Sequence, residues 1–205
     1  SSDLLYINTA GVGAIEPGRD VAPGRIQPGD AVLLNGDVGR HGVAVLSERE
    51  GLQFEGAIAS DCAPLNGCVE ALFAAGVDVH CLRDCTRGGV ATTLVELARA
   101  ARVQVEIEER AIAVEEPVRG ACELLGLDPL YVANEGRFIA FVPGAAAERA
   151  LAALRAHPVS AGAAVIGRVE AASPEAPGGE VRMKSLIGAW RILDMLSGEQ
   201  LPRIC

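Results

Sequence analysis

The 205-residue sequence is half hydrophobic and carries 27 Asp and Glu against 18 Lys and Arg, a formal net charge of −9. A chain of this size buries a sizeable core as one domain, or one domain plus a fragment, and its acidic balance without a Lys/Arg cluster argues against nucleic acid or an anionic membrane as main partner. Aromatic residues make up 3%, too few for a row that stacks bases, and with no apolar run near the ~18 residues of a membrane span and no leader pattern the cytoplasm is the expected compartment.

Ser1-Ser2-Asp3 leads straight into Leu4–Thr9, a predicted strand that reads like the middle of a domain, so the chain is expected to be a fragment. Gly11 to Gly29, with Pro17, Pro23 and Pro28, predicts a linker or loops. Ala31–Asn35 predicts a short buried strand, Gly36-Asp37-Val38-Gly39 a turn, and His41–Glu50 a helix. Pro64–Ala75 predicts a second helix and Val77–Leu82 a strand or extended link. A third helix begins at Gly88, with Leu94, Val95, Leu97 and Ala98 on one side and Arg99 and Arg102 at its C-terminal end, where cations suit the dipole. Val103–Glu108 alternates as a half-buried strand does, and Pro117–Leu125 reads as a helix stopped by Gly126. Phe138–Val142 is a predicted strand, Ala145–His157 a helix and Ala163–Val169 a strand, with one or two more strands in Glu180–Leu193. Strands and helices in this order predict an α/β (α+β) layer fold, with helices covering a sheet.

Three local patterns can carry chemistry. Arg83-Asp84-Cys85-Thr86-Arg87-Gly88-Gly89-Val90 opens a helix, where free N–H groups and the dipole suit an anion and paired glycines allow a phosphate to approach. The same residues also read as a helix start capped by Asp84 or Thr86 with glycines for a tight turn. Asn134-Glu135-Gly136 stands before a strand, where Glu135 is either a partly desolvated general base or a solvated turn residue. Gly39-Arg40-His41-Gly42 puts a lone histidine at a helix start, as a substrate contact or a capping-region residue. The six cysteines (62, 68, 81, 85, 122 and 205) are read as reduced thiols, because a core of this size needs no disulfide staples. The C-x5-C and C-x3-C spacings near His80 are not zinc knuckles, so no metal site is assigned to them. The last residue is itself a thiol: nine residues from Ser197 to Cys205 extend on the order of 30 Å at about 3.3 Å each, a tether with a nucleophile at its end.

Asn8-Thr9-Ala10-Gly11, Gly39-Arg40-His41-Gly42, Arg83 to Gly89, Ala133-Asn134-Glu135-Gly136 and the terminal Pro202-Arg203-Ile204-Cys205 together resemble the HypE family of hydrogenase maturation proteins, nearly end to end. That family belongs to the aminoimidazole ribonucleotide synthetase-like (PurM-like) ATP-binding superfamily, which implies a layered α/β/α C-terminal domain with a mixed sheet. The resemblance divides the chain into the end of an N-terminal domain and linker (1–25), a C-terminal domain (26–196) and a flexible tail (197–205). It implies a carbamoyl dehydratase that supplies the cyanide ligand of [NiFe]-hydrogenase. A carbamoyltransferase partner, HypF, loads the terminal sulfur of Cys205, ATP activates the carbamoyl oxygen, and Glu135 removes amide protons to leave a thiocyanate for the iron on a HypC–HypD scaffold. Thr86, Arg87, Gly88 and Gly89 would line the phosphate side of the cleft with Asp84 and Asn134 beside it, and His41 and Arg203 would line the path of the tail. The resemblance also implies Mg2+, held chiefly by an N-terminal domain that is not in the sequence and that forms most of a homodimer interface. The chain alone is therefore expected to bind ATP weakly or not at all. Arg40 stands where the family has Asp, and Cys85 where Ala is common, so the charge near the cleft is expected to differ. Two other readings remain at this stage: a docking module whose tail is recognised by partners, and a small-molecule kinase, for which a tethered thiol has no use.

Overall fold

The computed structural model describes residues 8, 10–52 and 58–195. The strand predicted over Leu4–Thr9 falls outside them except for Asn8, and the tail with Arg203 and Cys205 falls outside them entirely. Among the described residues, seven strands form one sheet in the order β2-β4-β1-β5-β3-β6-β7. These are β1 (Asp30–Leu34), β2 (Cys81–Asp84), β3 (Val103–Glu108), β4 (Phe138–Pro143), β5 (Ala164–Ala171), β6 (Glu180–Lys184) and β7 (Trp190–Leu193). The helices are α1 (Arg40–Glu50), α2 (Asn66–Ala74), α3 (Gly89–Ala101), α4 (Glu116–Leu125) and α5 (Ala147–Arg155).

β1 is buried along its whole length because both its faces are covered. Val32 and Leu34 join α3 residues such as Leu94 and Leu97 in one core, while Ala31 and Leu33 join Leu72 of α2 and Leu154 of α5 in a second core on the opposite face. This is the α/β/α layering that the family resemblance implies. The sheet is mixed: β1 runs antiparallel to both β4 and β5, and β3 pairs in parallel with β6. A smaller cluster of Val43, Val118, Ala121, Cys122 and Val132 ties α1 to α4 beside the sheet.

Two elements depart from the sequence reading. The ladder of β2 begins at Cys81 and runs to Asp84, later than predicted, because Val77 and Val79 form a link buried in the second core. The helix predicted over 145–157 is a 3-10 turn at Gly144–Ala146 followed by α5, which ends before His157. Pro158 disfavours a helical residue ahead of it, and His157 is extended at φ −99°, ψ 129°.

The antiparallel pairings gather the ends that matter. β1 and β2 finish where β4 begins, with Leu34 opposite Ile139 and Asp84 opposite Phe138, and β5 starts there too, with Ala164 opposite Leu34. The loops after β1 and β2 and the loop before β4 therefore meet at one end of the sheet.

Cys62 is exposed, whereas Cys68, Cys81, Cys85 and Cys122 are buried free thiols, and burial pushes Cys81 and Cys122 up to about 11. In the chain with Cys205 changed to Ala, a thiol-reactive dye is expected to label one cysteine rapidly in the native state and all five in denaturant. Fast native labelling of a second thiol would contradict this packing.

Candidate active site

Asn134 joins three of the converging segments. Its side chain is fully buried, its Oδ1 accepts the Gly39 N–H at 2.8 Å, and its Nδ2 donates to the carbonyls of Cys85 at 3.0 Å and Val132 at 3.1 Å. The turn before α1, the end of β2 and the loop before β4 are thus held by one amide. Asn134, which the resemblance sets beside the phosphate side of a cleft, spends its amide on three backbone groups and so pins the loops together. Gly42 completes the contact, because its N–H bonds the Ala133 carbonyl at 3.0 Å and a Cβ there would lie 2.4 Å from Val132.

At the start of α3 the structure corrects the capping role read for Asp84 or Thr86. Neither caps the helix: the capping position is Gly88, at φ +73°, with no side-chain cap, and Thr86 donates its hydroxyl to Asp84 Oδ2 at 2.8 Å. The glycines answer first to packing. A Cβ on Gly89 would lie 2.4 Å from the Leu130 carbonyl, and one on Gly88 would lie 2.3 Å from Thr92 Oγ1. Asp84 and Arg87 are exposed, Thr86 and Gly88 partly so, whereas Gly89, Val90 and Ala91, the first helical residues, are buried, and the Gly89 N–H donates to the Thr86 carbonyl at 3.0 Å. The segment ahead of the helix therefore faces the surface, and no side chain caps the helix behind it.

Glu135 is half-buried, and its backbone N–H donates to Asp61 Oδ1 at 3.0 Å. The carbonyl of the next residue, Gly136, accepts from Asn35 Nδ2 at 3.2 Å and from Arg137 at 2.9 Å. Asn35 also accepts the Phe138 N–H at 2.8 Å, which locks the loop to the first residue of β4. A fourth segment, Ser60-Asp61-Cys62, closes the arrangement, with Ser60 Oγ 2.9 Å from His41 Nδ1. His41, Asp84 to Gly89, Asn134 and Glu135 therefore lie at one end of the sheet.

Asn35, Asp37, Ser60, Asp61 and Arg137 were not singled out from sequence. They line or support a polar hollow of about 290 Å³ whose walls include Asp37, Arg40, Asp61 and Arg137. Arg137 Nη2 and Arg40 Nε each lie 2.5 Å from the Asp37 carboxylate. Burial pulls the Asp37 carboxyl upward, but the hydrogen bonds and charges of Arg40 and Arg137 outweigh it and hold the group below the usual carboxylate range. Burial likewise works against the Arg40 cation, and Asp37, then Glu115 and Asp61, more than offset it. The Arg40 charge is thus spent within the cluster. Cys85 brings no charge either: it is fully buried, and burial followed by the nearby Asp84 charge drives its thiol far up.

Residues 27–177 match the family described as AIR synthase related protein, C-terminal domain. The carbamoyl dehydratase HypE of Azotobacter vinelandii is 53% identical over 203 residues, 99% of this chain and 58% of that protein. A solved hydrogenase maturation protein HypE in complex with ATP gives a TM-score of 0.84 at 47% identity, covering 90% of this chain and 55% of that one. A solved HypE–HypF complex gives 0.80 at 40% identity, covering 86% of this chain and 56% of that one. The chain spans a little under three fifths of the curated relative, 58% of its length.

The ion cluster makes stability sensitive to acid. Changing Asp37 to Asn is expected to cost about 3 kcal/mol near neutral pH, because it strips the partner from a buried guanidinium. Since the folded-state value of Asp37 is depressed, its contribution is complete above the ordinary carboxylate value near ~3.9 and is lost as pH falls through the lower folded value. Denaturant titrations of both proteins across this range are expected to converge in acid; a gap that persists there would refute the assignment.

Proposed function

The chain belongs to the AIR synthase related family, as a C-terminal domain, and from that premise we propose that it is the C-terminal part of an ATP-dependent carbamoyl dehydratase serving [NiFe]-hydrogenase maturation. The observation that carries the reading is the half-buried Glu135, whose loop the Asn134 pin holds at the same end of the sheet as the start of α3, in a sequence that also contains the Cys205 thiol. The relatives named carbamoyl dehydratase supply the reaction class.

The thiol of Cys205 carries the carbamoyl group as a thioester-like amide. An amide oxygen is a poor leaving group, and ATP supplies the phosphoryl group that turns it into a good one. The nitrogen must then lose its protons as the phosphate departs, and we assign Glu135 as the base for that step. The N–H groups at the start of α3, with Thr86 and Arg87 on the rim, suit the phosphates, Asp84 stands beside them, and Asn134 holds the floor. His41, fixed through Ser60, and Arg203 of the tail line the path by which the sulfur enters.

Among the described residues, no three or more His, Cys, Asp or Glu side chains gather into a metal site. By the family resemblance we assign Mg2+ chiefly to an N-terminal domain of the full-length protein, and this chain alone is expected to bind ATP weakly or not at all. We keep the division into 1–25, 26–196 and 197–205, in which the family match at 27–177 falls inside the middle part. We assign HypF as the carbamoyl donor, in line with the HypE–HypF complex, HypC–HypD as the iron-bearing acceptor, and a homodimer of the full-length protein as the working form. Among the described residues no helix is long and apolar enough to cross a membrane, and we assign the protein to the cytoplasm.

The test is the intact mass of the full-length protein after incubation with ATP, carbamoyl phosphate and the carbamoyltransferase. The expected result is a carbamoyl-sized gain, followed by ATP-dependent loss of one water, with both absent when Cys205 is Ala. Unchanged mass beside a demonstrably active partner would leave a docking module instead. Replacing Glu135 by Gln keeps the shape but not the base, and is expected to slow the loss of water by at least ~100-fold while carbamoylation proceeds.

A further inference from the structure

We infer that Asp61 is the positioning residue for Glu135: it fixes the backbone of the base through one carboxylate oxygen while its charge balances the guanidiniums beneath the site. The inference rests on reading Glu135 as the base. The Asp61 side chain is 0% exposed, its Oδ1 accepts the Glu135 N–H at 3.0 Å, and its Oδ2 has no hydrogen-bond donor among the described residues, lying 3.9 Å from Arg137 Nε. A buried carboxylate with an unsatisfied oxygen is expensive, so its retention calls for a compensating role. The neighbouring backbones touch as well, since a Cβ on Gly136 would lie 1.9 Å from the Asp61 carbonyl. On the other side, Ser60 Oγ meets His41 Nδ1 at 2.9 Å and accepts the Cys62 N–H at 3.1 Å. The segment 60–62 is thus a bracket that sets Glu135 and His41 relative to each other.

Two roles meet in one side chain, and they can be separated. Holding the Glu135 N–H needs an sp2 oxygen, which Asn also offers. Balancing the cluster, in which Arg40 and Arg137 face Asp37 and Asp61, needs a carboxylate. Asp61→Asn keeps the first role and loses the second, whereas Asp61→Ala loses both.

The measurement is single-turnover loss of water from the carbamoylated full-length protein, with half-saturating ATP and melting temperature recorded for each variant. Asp61→Ala is expected to slow turnover about 30-fold or more, since small misplacements of a reacting group cost orders of magnitude. Half-saturating ATP should stay within about twofold. Asp61→Asn is expected to recover turnover to within about threefold of the parent, although it melts early as Asp61→Ala does. Equal loss in Asn and Ala, in step with stability, would overturn the inference, as would full turnover by Asp61→Ala. In a Glu135→Ala background, adding Asp61→Ala should slow the residual rate no further, and additive losses count against positioning. Full turnover by Glu135→Ala alone would remove the base reading itself, a failure distinct from the others, and would leave Asp61 nothing to position.

Discussion

One amide holds the working end of this domain together. The Asn134 side chain has one acceptor and one donor group, and both are used on backbone groups from segments far apart in sequence: Gly39, Cys85 and its own neighbour Val132. Each of those groups is buried with it, and a buried polar group stripped of its partner costs about 1–3 kcal/mol. The turn before α1, the end of β2 and the loop before β4 therefore cannot shift independently. The sheet brings them near each other, since β4 is antiparallel to both β1 and β2, and the amide sets their spacing.

Electrostatics beneath this floor are nearly closed on themselves. Arg137 is buried to 5% exposure and would be costly alone, but Asp37 meets it and Arg40 together, with Asp61 and Glu115 close by. A balanced cluster of this kind contributes orientation more than net stability, because desolvation consumes much of the attraction. It also explains how Arg40 is tolerated in this position: its charge is taken up by Asp37 and Glu115 and does not stand open to the cleft.

Much of the scaffold was readable from local pattern. The apolar run at 31–35, the alternation at 103–108 and the helix closed by Gly126 correspond to β1, β3 and α4, because each reports burial or backbone conformation that the residues themselves impose. Glycines at 88 and 89 were readable as close approaches, although it is the protein's own backbone or a nearby side chain that approaches them. The supporting polar residues were not readable. Asp61 meets Glu135 from 74 positions away, Arg137 meets Asp37 from 100, and Asn35 meets Phe138 from 103. In isolation Ser60-Asp61-Cys62-Ala63-Pro64 has the composition of any surface loop, and only the folded chain shows that it carries a buried carboxylate.

Those long-range contacts bear on how a loop residue could be held for the base role proposed for Glu135. Proton removal needs a carboxylate held within a few tenths of an ångström of its target, and loops are ordinarily the least precise place to mount one. Glu135 escapes that difficulty because its backbone is fastened on every side: Asn134 before it is pinned, its own N–H is held by Asp61, and the Gly136 carbonyl after it is held by Asn35 and Arg137. What remains free is rotation of its own side chain. In the reading proposed above, a base whose backbone is fixed has only its side-chain torsions left to set, so its carboxylate is confined to the few positions its rotamers reach.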